Sequence, residues 1–191
     1  MSFNDAYRGT PPWDIGRPQG AFRALADAGQ LHGRVLDSGC GSGEHALLAA
    51  SIGLDATGID EAPLAIEKAQ AKARERALDV RFTVGSVLEF AALDARWDTV
   101  LDCGVFHVFD DDDRAAYVRN LAAAIPSGGR FYMLCFSDLQ EGEVGPRRVS
   151  QDEIRDAFAE GWRIESIEPA TIETTFEGRD AQAWLSTITR V

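Results

Sequence analysis

Short apolar runs alternate with longer stretches of helical periodicity along most of the chain. Apolar runs bounded by turn residues are typical of buried parallel strands, and the amphipathic stretches between them are typical of crossover helices. The pattern predicts seven strands, at Arg34–Asp37, Asp55–Ile59, Val80–Val84, Trp97–Asp102, Gly129–Phe136, Trp162–Glu168 and Ala181–Thr189.

Helices are predicted between most of these strands from their start and stop signals. Pro63 falls in a first helical turn, where its missing N–H has no intrahelical partner to lose. Ser150 and Glu153 have the spacing of a capping box. Residues 86–95 are ambiguous and are compatible with a short helical turn. The predicted helices are about Pro18 to Ala28, Glu44–Ile52, Ala62–Arg76, Arg114–Ala124 preceded by the acidic Asp111–Asp113, and Ser150 to about Ala159.

This alternation of strands and helices implies a mostly parallel sheet with helices on both faces. The last two strands are joined with no room for a helical crossover, so we expect them to be an antiparallel pair at one edge. The predicted fold is a three-layer α/β fold on a seven-stranded sheet whose last strand is antiparallel. We expect one domain over residues 1–191, with an N-terminal arm and helix at 1–28 and a core at 29–191.

The composition limits the kinds of binding partner that we expect. The net charge of −12 opposes broad binding to nucleic acid or to an anionic membrane, and it suits a small uncharged or cationic substrate. No apolar run approaches the roughly 18 residues of a membrane span, and the first five residues lack the features of a signal peptide. Cys40, Cys103 and Cys135 are odd in number and widely spaced. We therefore expect a cytoplasmic protein with reduced thiols, as a monomer or homodimer.

Residues Val35 to Gly43 form the most informative stretch, Val-Leu-Asp-Ser-Gly-Cys-Gly-Ser-Gly. Gly39, Gly41 and Gly43 separate the first strand from the helix that begins near Glu44. Glycine lets a backbone turn sharply and approach a ligand closely. A strand, a glycine turn and a helix N-terminus together predict a nucleotide-binding corner.

The residues around the turn indicate which nucleotide is bound. Glu44 stands where a dinucleotide-binding fingerprint has its third glycine, and its charge is expected to repel a pyrophosphate. The negative charge of Asp37 is expected to favour a ligand that carries an ammonium group. Asp60 follows the second strand, where an acidic residue binds ribose hydroxyls, although it also suits a helix cap. Glu61, beside it, either shares that role or starts the helix.

The pattern Leu36-Asp37-x-Gly39-Cys40-Gly41-x-Gly43 resembles the first motif of class I S-adenosylmethionine-dependent methyltransferases. The resemblance implies a Rossmann-like methyltransferase fold with S-adenosyl-L-methionine as cofactor. It also implies that the adenine lies at Ser86 and Val87, although the family often has an acid where Ser86 stands. Cys103 and Gly104, after the fourth strand, would then lie beside the transferring methyl group.

The N-terminal arm contains Pro12-Trp13-Asp14-Ile15-Gly16, which is similar to the leader of small-molecule methyltransferases of the thiopurine and heterocyclic-toxin type. This resemblance implies that the arm folds over the cofactor and helps to form the substrate pocket. The aromatic face of Trp13 would attract the sulfonium cation. The alternative is a tail that simply docks on the core.

His107 is the histidine expected nearest the reacting centre, as a general base or a substrate contact. A structural role for it is equally compatible with the sequence. The loop at 137–149 is expected to border the substrate, and Phe106, Phe109 and Phe136 are candidates for an aromatic lining. The cysteines lack paired spacing, so no metal is predicted.

Together these features predict S-adenosylmethionine-dependent methyl transfer to a nucleophilic N, O or S atom of a small, aromatic or heterocyclic molecule. The first alternative is a non-catalytic module that binds the nucleoside or S-adenosylmethionine. The second is a nicotinamide-dependent oxidoreductase, which Glu44 disfavours. Neither nucleic acid nor a membrane is an expected partner.

Overall fold

The computed structural model describes residues 2–89, 95–142, 145–176 and 180–191. A seven-stranded sheet lies at its centre, in the order β3-β2-β1-β4-β5-β7-β6. The strands are β1 Arg34–Ser38, β2 Asp55–Asp60, β3 Val80–Val84, β4 Thr99–Cys103, β5 Arg130–Phe136, β6 Trp162–Ile172 and β7 Ala181–Arg190. The predicted sheet is confirmed, because β1 to β5 run parallel and β7 pairs antiparallel with both β5 and β6.

The helices agree with the sequence pattern apart from their ends. They are α1 Phe3–Ala6, α2 Gly20–Asp27, α3 Glu44–Ser51, α4 Pro63–Glu75, α5 Asp111–Ala124 and α6 Gln151–Ala157, with a 3₁₀ turn at Phe106–Val108. The predicted start of α5 at Arg114 was wrong, because the Asp110 side chain caps the helix by accepting from the Asp113 amide at 2.9 Å. The capping box at Ser150 and Glu153 is confirmed. The one-turn α1 was not predicted.

Strand β6 is longer than the sequence pattern predicted. It continues through Pro169, which has no N–H to donate to a ladder. β6 is the edge strand, where proline is tolerated because an N–H that faces away from the neighbouring strand has no ladder partner to lose. Pairing with β7 continues to Thr171 and Ile172. Of residues 86–95, positions 87–88 form a turn, and positions 90–94 lie outside the described residues.

Two apolar cores lie on opposite faces of the sheet, which gives the predicted three layers. One core joins the sheet to α2, α3 and α4 through residues such as Phe22, Leu47 and Ile66. The other joins it to α5 and α6 through residues such as Tyr117, Leu121 and Phe158. Within the described ranges, no helix is long and apolar enough to cross a membrane.

The strand order reverses between β1 and β4, and this point positions the site. The chain builds outward from β1 to β3 and then returns to place β4 on the other side of β1. Ser38 pairs with Asp102 at the carboxyl ends of these two strands. The glycine turn after β1 and the Cys103–Gly104 segment after β4 therefore meet at the crevice where ligands bind in open α/β sheets.

Candidate functional site

The glycine turn requires its glycines. Gly39, Gly41 and Gly43 have φ angles of +66°, +52° and +85°, a region that other residues rarely adopt. A Cβ on Gly39 would overlap the side chain of Val105, which follows β4. The turn is therefore packed directly against the segment after β4, and it leads into α3 with Gly43 as the N-cap.

Asp60, at the end of β2, stabilises this turn through hydrogen bonds. One carboxylate oxygen accepts from the Gly41 amide at 2.8 Å, and the other accepts from the Ala62 amide at 2.8 Å. Burial raises the pKa of Asp60, although both amide hydrogen bonds lower it. The structure thus brings the predicted acid to the glycine turn. Asp60 also contacts the start of α4, because Ala62 is the N-cap residue of that helix, although α4 has no side-chain cap.

Asp37 lies at the end of β1 and is only 1% exposed. Its Oδ2 accepts from the Ala46 amide in the first turn of α3 at 3.0 Å. Its Oδ1 is buried and has no hydrogen-bond partner among the described residues. A buried carboxylate oxygen without a donor is costly, so a cationic N–H donor from a ligand would stabilise it.

Glu44 does not act as the sequence suggested. Its carboxylate accepts from the Arg76 guanidinium at 2.8 and 2.9 Å and pairs with the Lys72 ammonium at 2.8 Å. Burial would raise the pKa of Glu44, but these hydrogen bonds lower it overall. Because Lys72 of α4 and Arg76 directly after it neutralise the carboxylate, the argument that its charge repels a pyrophosphate was wrong.

The end of β3 adjoins Asp60, because the Gly85 amide donates to the Asp60 carbonyl at 3.0 Å. Val87 is buried there, and the Ser86 hydroxyl accepts from the Leu88 amide at 3.2 Å. Glu61 is exposed and makes no hydrogen bond or ion pair within the described ranges. The structure therefore groups Ser86 and Val87 with the turn and leaves Glu61 at the surface.

The segment after β4 is organised by Asp102. This fully buried carboxylate accepts from the amides of Val105 at 2.8 Å and Phe106 at 3.2 Å, and it bonds to the Tyr117 hydroxyl. Gly104 turns the chain with a φ of +84°. The partly buried side chain of Cys103 packs with the α2–α4 core, on the face that also holds Cys40, whereas Cys135 lies in the other core.

His107 is buried between this segment and β5. Its Nδ1 accepts from the Phe136 amide at 2.9 Å, and the two rings meet edge to face at 4.9 Å. Burial, with the positive charges of Arg114 and Arg148, lowers the pKa of His107 to about 3. The neutral ring therefore carries its proton on Nε2, the side that lies nearest Gly104. This arrangement opposes the general-base role and suits a hydrogen-bond donor.

The arm reaches the glycine turn through Tyr7. A Cβ on Gly41 would overlap the Tyr7 hydroxyl, and the Trp13 indole N–H donates to that hydroxyl at 3.1 Å. The exposed Trp13 ring packs edge-on against Phe3 and Tyr7. Trp13 therefore contacts Tyr7, and Tyr7 in turn contacts the glycine turn. Tyr7 was missed as a site residue, although an aromatic residue within a polar arm was the available signal in the sequence.

Hydrogen bonds and ion pairs fix the arm on two sides of the crevice. On the helix side, Asp14 accepts from the Ser42 hydroxyl at 2.8 Å and lies 3.8 Å from Lys72. On the other side, the Thr175 amide in the β6–β7 loop donates to the Pro12 carbonyl at 2.8 Å. Glu173 in the same loop pairs with Arg17. The arm thus spans from α3 and α4 to the β6–β7 loop.

Comparisons with known proteins agree with this geometry. Residues 35–129 match the family model of a methyltransferase domain. A 2-heptyl-1-hydroxyquinolin-4(1H)-one methyltransferase of Mycobacteroides abscessus is 34% identical over 187 residues, covering 92% of this chain and 82% of the relative. The chain belongs to the class I S-adenosylmethionine-dependent methyltransferases.

Two solved structures extend the comparison. A protein from a study of the conversion of a disulfide bond into a thioacetal group during echinomycin biosynthesis superposes on this methyltransferase with a TM-score of 0.89. It is 38% identical, and the match covers 98% of this chain and 91% of that one. The magnesium protoporphyrin IX methyltransferase of Synechocystis with bound S-adenosylmethionine shares the fold, with a TM-score of 0.69, 22% identity and coverage of 90% and 76%. The cofactor of this methyltransferase is S-adenosylmethionine, as the glycine motif predicted.

The residues present fit that cofactor. The Asp37 oxygen that has no hydrogen-bond partner among the described residues suits its ammonium. Asp60 retains a lone pair on each oxygen for ribose hydroxyls, since each oxygen accepts only one amide. We propose these roles for Asp37, Gly39, Cys40, Gly41, Gly43 and Asp60, with Ser86 and Val87 at the adenine and Trp13, Cys103 and Gly104 near the methyl-bearing end.

Replacing Asp60 with alanine is expected to weaken S-adenosylmethionine binding by about 1–3 kcal/mol, because charge-assisted hydrogen bonds to the ribose are lost. Isothermal titration measures this change. Glu61→Ala is the matched control, because the neighbouring carboxylate is exposed and makes no hydrogen bond or ion pair within the described residues. Thermal unfolding without ligand separates loss of the Gly41 and Ala62 braces from loss of binding. Equal affinities for the two variants would contradict the ribose assignment.

Proposed function

We propose that this methyltransferase acts on a nucleophilic N, O or S atom of a small aromatic or heterocyclic molecule. The acceptor atom forms a bond to the methyl carbon as the bond from carbon to the sulfonium breaks. S-adenosylhomocysteine leaves, and the acceptor loses its proton or its negative charge in the process. The protein's contribution is to align the two reactants and to exclude water.

The contact between His107 and Phe136 is the observation that best supports this proposal. It places an aromatic edge and a neutral N–H donor beside Gly104, at the carboxyl ends of β4 and β5. The Arg148 guanidinium lies 5.6 Å from the Phe136 ring and donates to the carbonyls of Pro146 and Gly142 at 2.7 and 2.8 Å. This part of the crevice therefore offers an aromatic ring beside an N–H donor, which suits an aromatic acceptor.

The similar protein of M. abscessus supports the same class of acceptor. By its name it methylates a 1-hydroxyquinolinone, which is a heterocycle with a hydroxyl on nitrogen. The similarity covers 92% of this chain. The proposal for this chain therefore includes N-hydroxy heterocycles, phenols, aromatic thiols and azoles.

The test is transfer of a labelled methyl group from S-adenosylmethionine to a panel of those four classes of acceptor. We expect turnover with at least one class and release of S-adenosylhomocysteine in equal amount. Asp37→Asn serves as the control, since it is expected to lose cofactor binding and turnover together. Tight binding of S-adenosylmethionine with no transfer to any aromatic acceptor would instead favour a non-catalytic cofactor-binding module.

The pH dependence of turnover is expected to follow the acceptor and not the enzyme. The Phe136 amide occupies Nδ1 of His107, and its low pKa keeps the ring neutral throughout the working range. The ring then has no free lone pair with which to take a proton. Two acceptors of different pKa should give kcat/KM profiles displaced by that difference. A limb that both acceptors share and that disappears in His107→Asn would identify His107 as the base.

A further inference from the structure

His45 occupies a position that the proposed function does not use. It is the second residue of α3, and its ring is buried edge-on against Phe22 with the ring centroids 4.7 Å apart. Its Nε2 accepts from the backbone amide of Gln19, at the end of the arm, at 3.2 Å. A helix residue beside the glycine turn is thus bonded directly to the arm.

The Gln19 bond determines which side of the ring carries the proton. Because Nε2 accepts, the neutral ring is protonated on Nδ1. Nδ1 lies 3.8 Å from Oδ1 of Asp37, the carboxylate oxygen without a hydrogen-bond partner in the described part of the chain. The Nδ1–H group therefore lies near the carboxylate proposed to hold the ammonium of the cofactor, at a distance longer than a hydrogen bond.

The side chain of Gln19 is hydrogen-bonded to the β6–β7 loop. Its side-chain amide donates to the Glu173 carbonyl at 3.0 Å and accepts from the Glu173 amide at 2.8 Å. The Glu173 carboxylate also accepts from the Gly20 amide at 2.9 Å. Hydrogen bonds therefore run from the β6–β7 loop through Gln19 to His45, and His45 in turn lies 3.8 Å from Asp37. Opening the arm removes the donor that fixes the His45 ring.

We propose that His45 is a positioning residue that couples closure of the arm to occupancy of Asp37 by the ammonium of the cofactor. When the ammonium binds Asp37, the carboxylate and the His45 N–H are held together, and the Nε2 lone pair is held toward Gln19. When the arm is open, the ring loses its orientation and Asp37 loses that neighbour. This proposal rests on the placement of the cofactor amino group at Asp37.

Two substitutions separate the contact of His45 with Gln19 from its contact with Asp37. In His45→Gln the side-chain oxygen replaces Nε2, so the bond from Gln19 is retained and the donor toward Asp37 is lost. In His45→Asn the side-chain nitrogen replaces Nδ1, so the donor toward Asp37 is retained and the bond from Gln19 is lost. His32→Gln is the control, because His32 is exposed and, among the described residues, its ring hydrogen-bonds only to the Gln30 carbonyl.

The experiment measures amide hydrogen exchange of residues 4–20 in the full chain, with saturating S-adenosylhomocysteine or with saturating 5′-methylthioadenosine. The second ligand has the adenosine and the thioether but lacks the amino acid. In the wild type we expect S-adenosylhomocysteine to slow exchange of the Gln19 and Gly20 amides about fivefold or more beyond methylthioadenosine, the range of ordinary site coupling. In both His45 variants that ratio should fall to about one. In His32→Gln it should stay at the wild-type value.

The two variants should also differ without ligand. His45→Asn is expected to exchange faster than the wild type at Gln19, whereas His45→Gln is expected to match it. Equal protection by the two ligands in the wild type, or a wild-type ratio in His45→Gln, would overturn the proposal. Titration of Asp37→Asn with S-adenosylhomocysteine tests the ammonium placement separately. No methyl acceptor is used, so the outcome does not depend on the acceptor class proposed above.

Discussion

Gly43→Ala is expected to destabilise the protein by about 3 kcal/mol, which corresponds to a fall in melting temperature of roughly 6–12 °C for a chain of this size. Gly43 has a φ of +85°, and an added methyl group would lie 2.6 Å from Cζ of Phe82 and 2.8 Å from Cβ of Ala69. Both neighbours belong to packed elements, β3 and α4, so neither moves away cheaply. Thermal or urea unfolding of the ligand-free protein measures the loss.

Gly53→Ala is the matched control. Gly53 also has a φ of +85°, but an added methyl group would meet no atom within 4 Å. This variant therefore carries the backbone strain alone and should be destabilised by only about 1 kcal/mol. The difference between the two variants isolates the steric term at the glycine turn. Equal destabilisation would mean that the junction of α3, α4 and β3 yields more easily than its packing indicates.

Asp102→Asn is expected to change how stability depends on pH. Burial raises the pKa of Asp102 to about 7 from its ordinary value of 3.8. Between these values the native protein holds a proton that the unfolded chain has released, so the free energy of unfolding falls as pH rises. The asparagine variant lacks this dependence. Its stability relative to the wild type should therefore increase by up to about 1.4 kcal/mol per pH unit across that window.

His107→Asn should show the opposite sign. Burial lowers the pKa of His107 to about 3 from 6.5, so between these values the unfolded chain binds a proton that the native protein does not. His107 therefore makes the wild-type free energy of unfolding increase as pH rises through this range, and the variant lacks that increase. Urea unfolding of both variants and the wild type from pH 4 to pH 8 gives the two slopes. A pH-independent difference between Asp102→Asn and the wild type would contradict the buried-acid assignment.

The fold was predictable because its signals are local. Val35 and Leu36 end an apolar run, alternate glycines follow, and a helix begins, so the first βα unit is contained within one short stretch. The short connection between the last two strands was enough to predict their antiparallel pairing. The errors lay at element ends, such as the start of α5, where one side-chain cap moved the boundary by three residues.

The site was predictable only in part because several of its contacts join residues far apart in the sequence. Asp60 was found because the βαβ unit fixes its distance from the glycine turn. The neutralisation of Glu44 by Arg76 depends on how α3 packs on α4, which the local pattern does not specify. The same holds for His45, which occupies an ordinary helical position in sequence and gains its contacts from Gln19 and Asp37 only after folding.

The hydrogen bonds between Gln19 and Glu173 also determine when the arm can reach its final position during synthesis. The two residues are 154 positions apart, and the arm leaves the ribosome long before the β6–β7 loop exists. Domains are translated at about 5–20 residues per second, so the arm waits on the order of ten seconds for its last partner. Until then the arm can bind the helix side of the crevice through Asp14, but it lacks the hydrogen bonds to Glu173 and Thr175 on the other side.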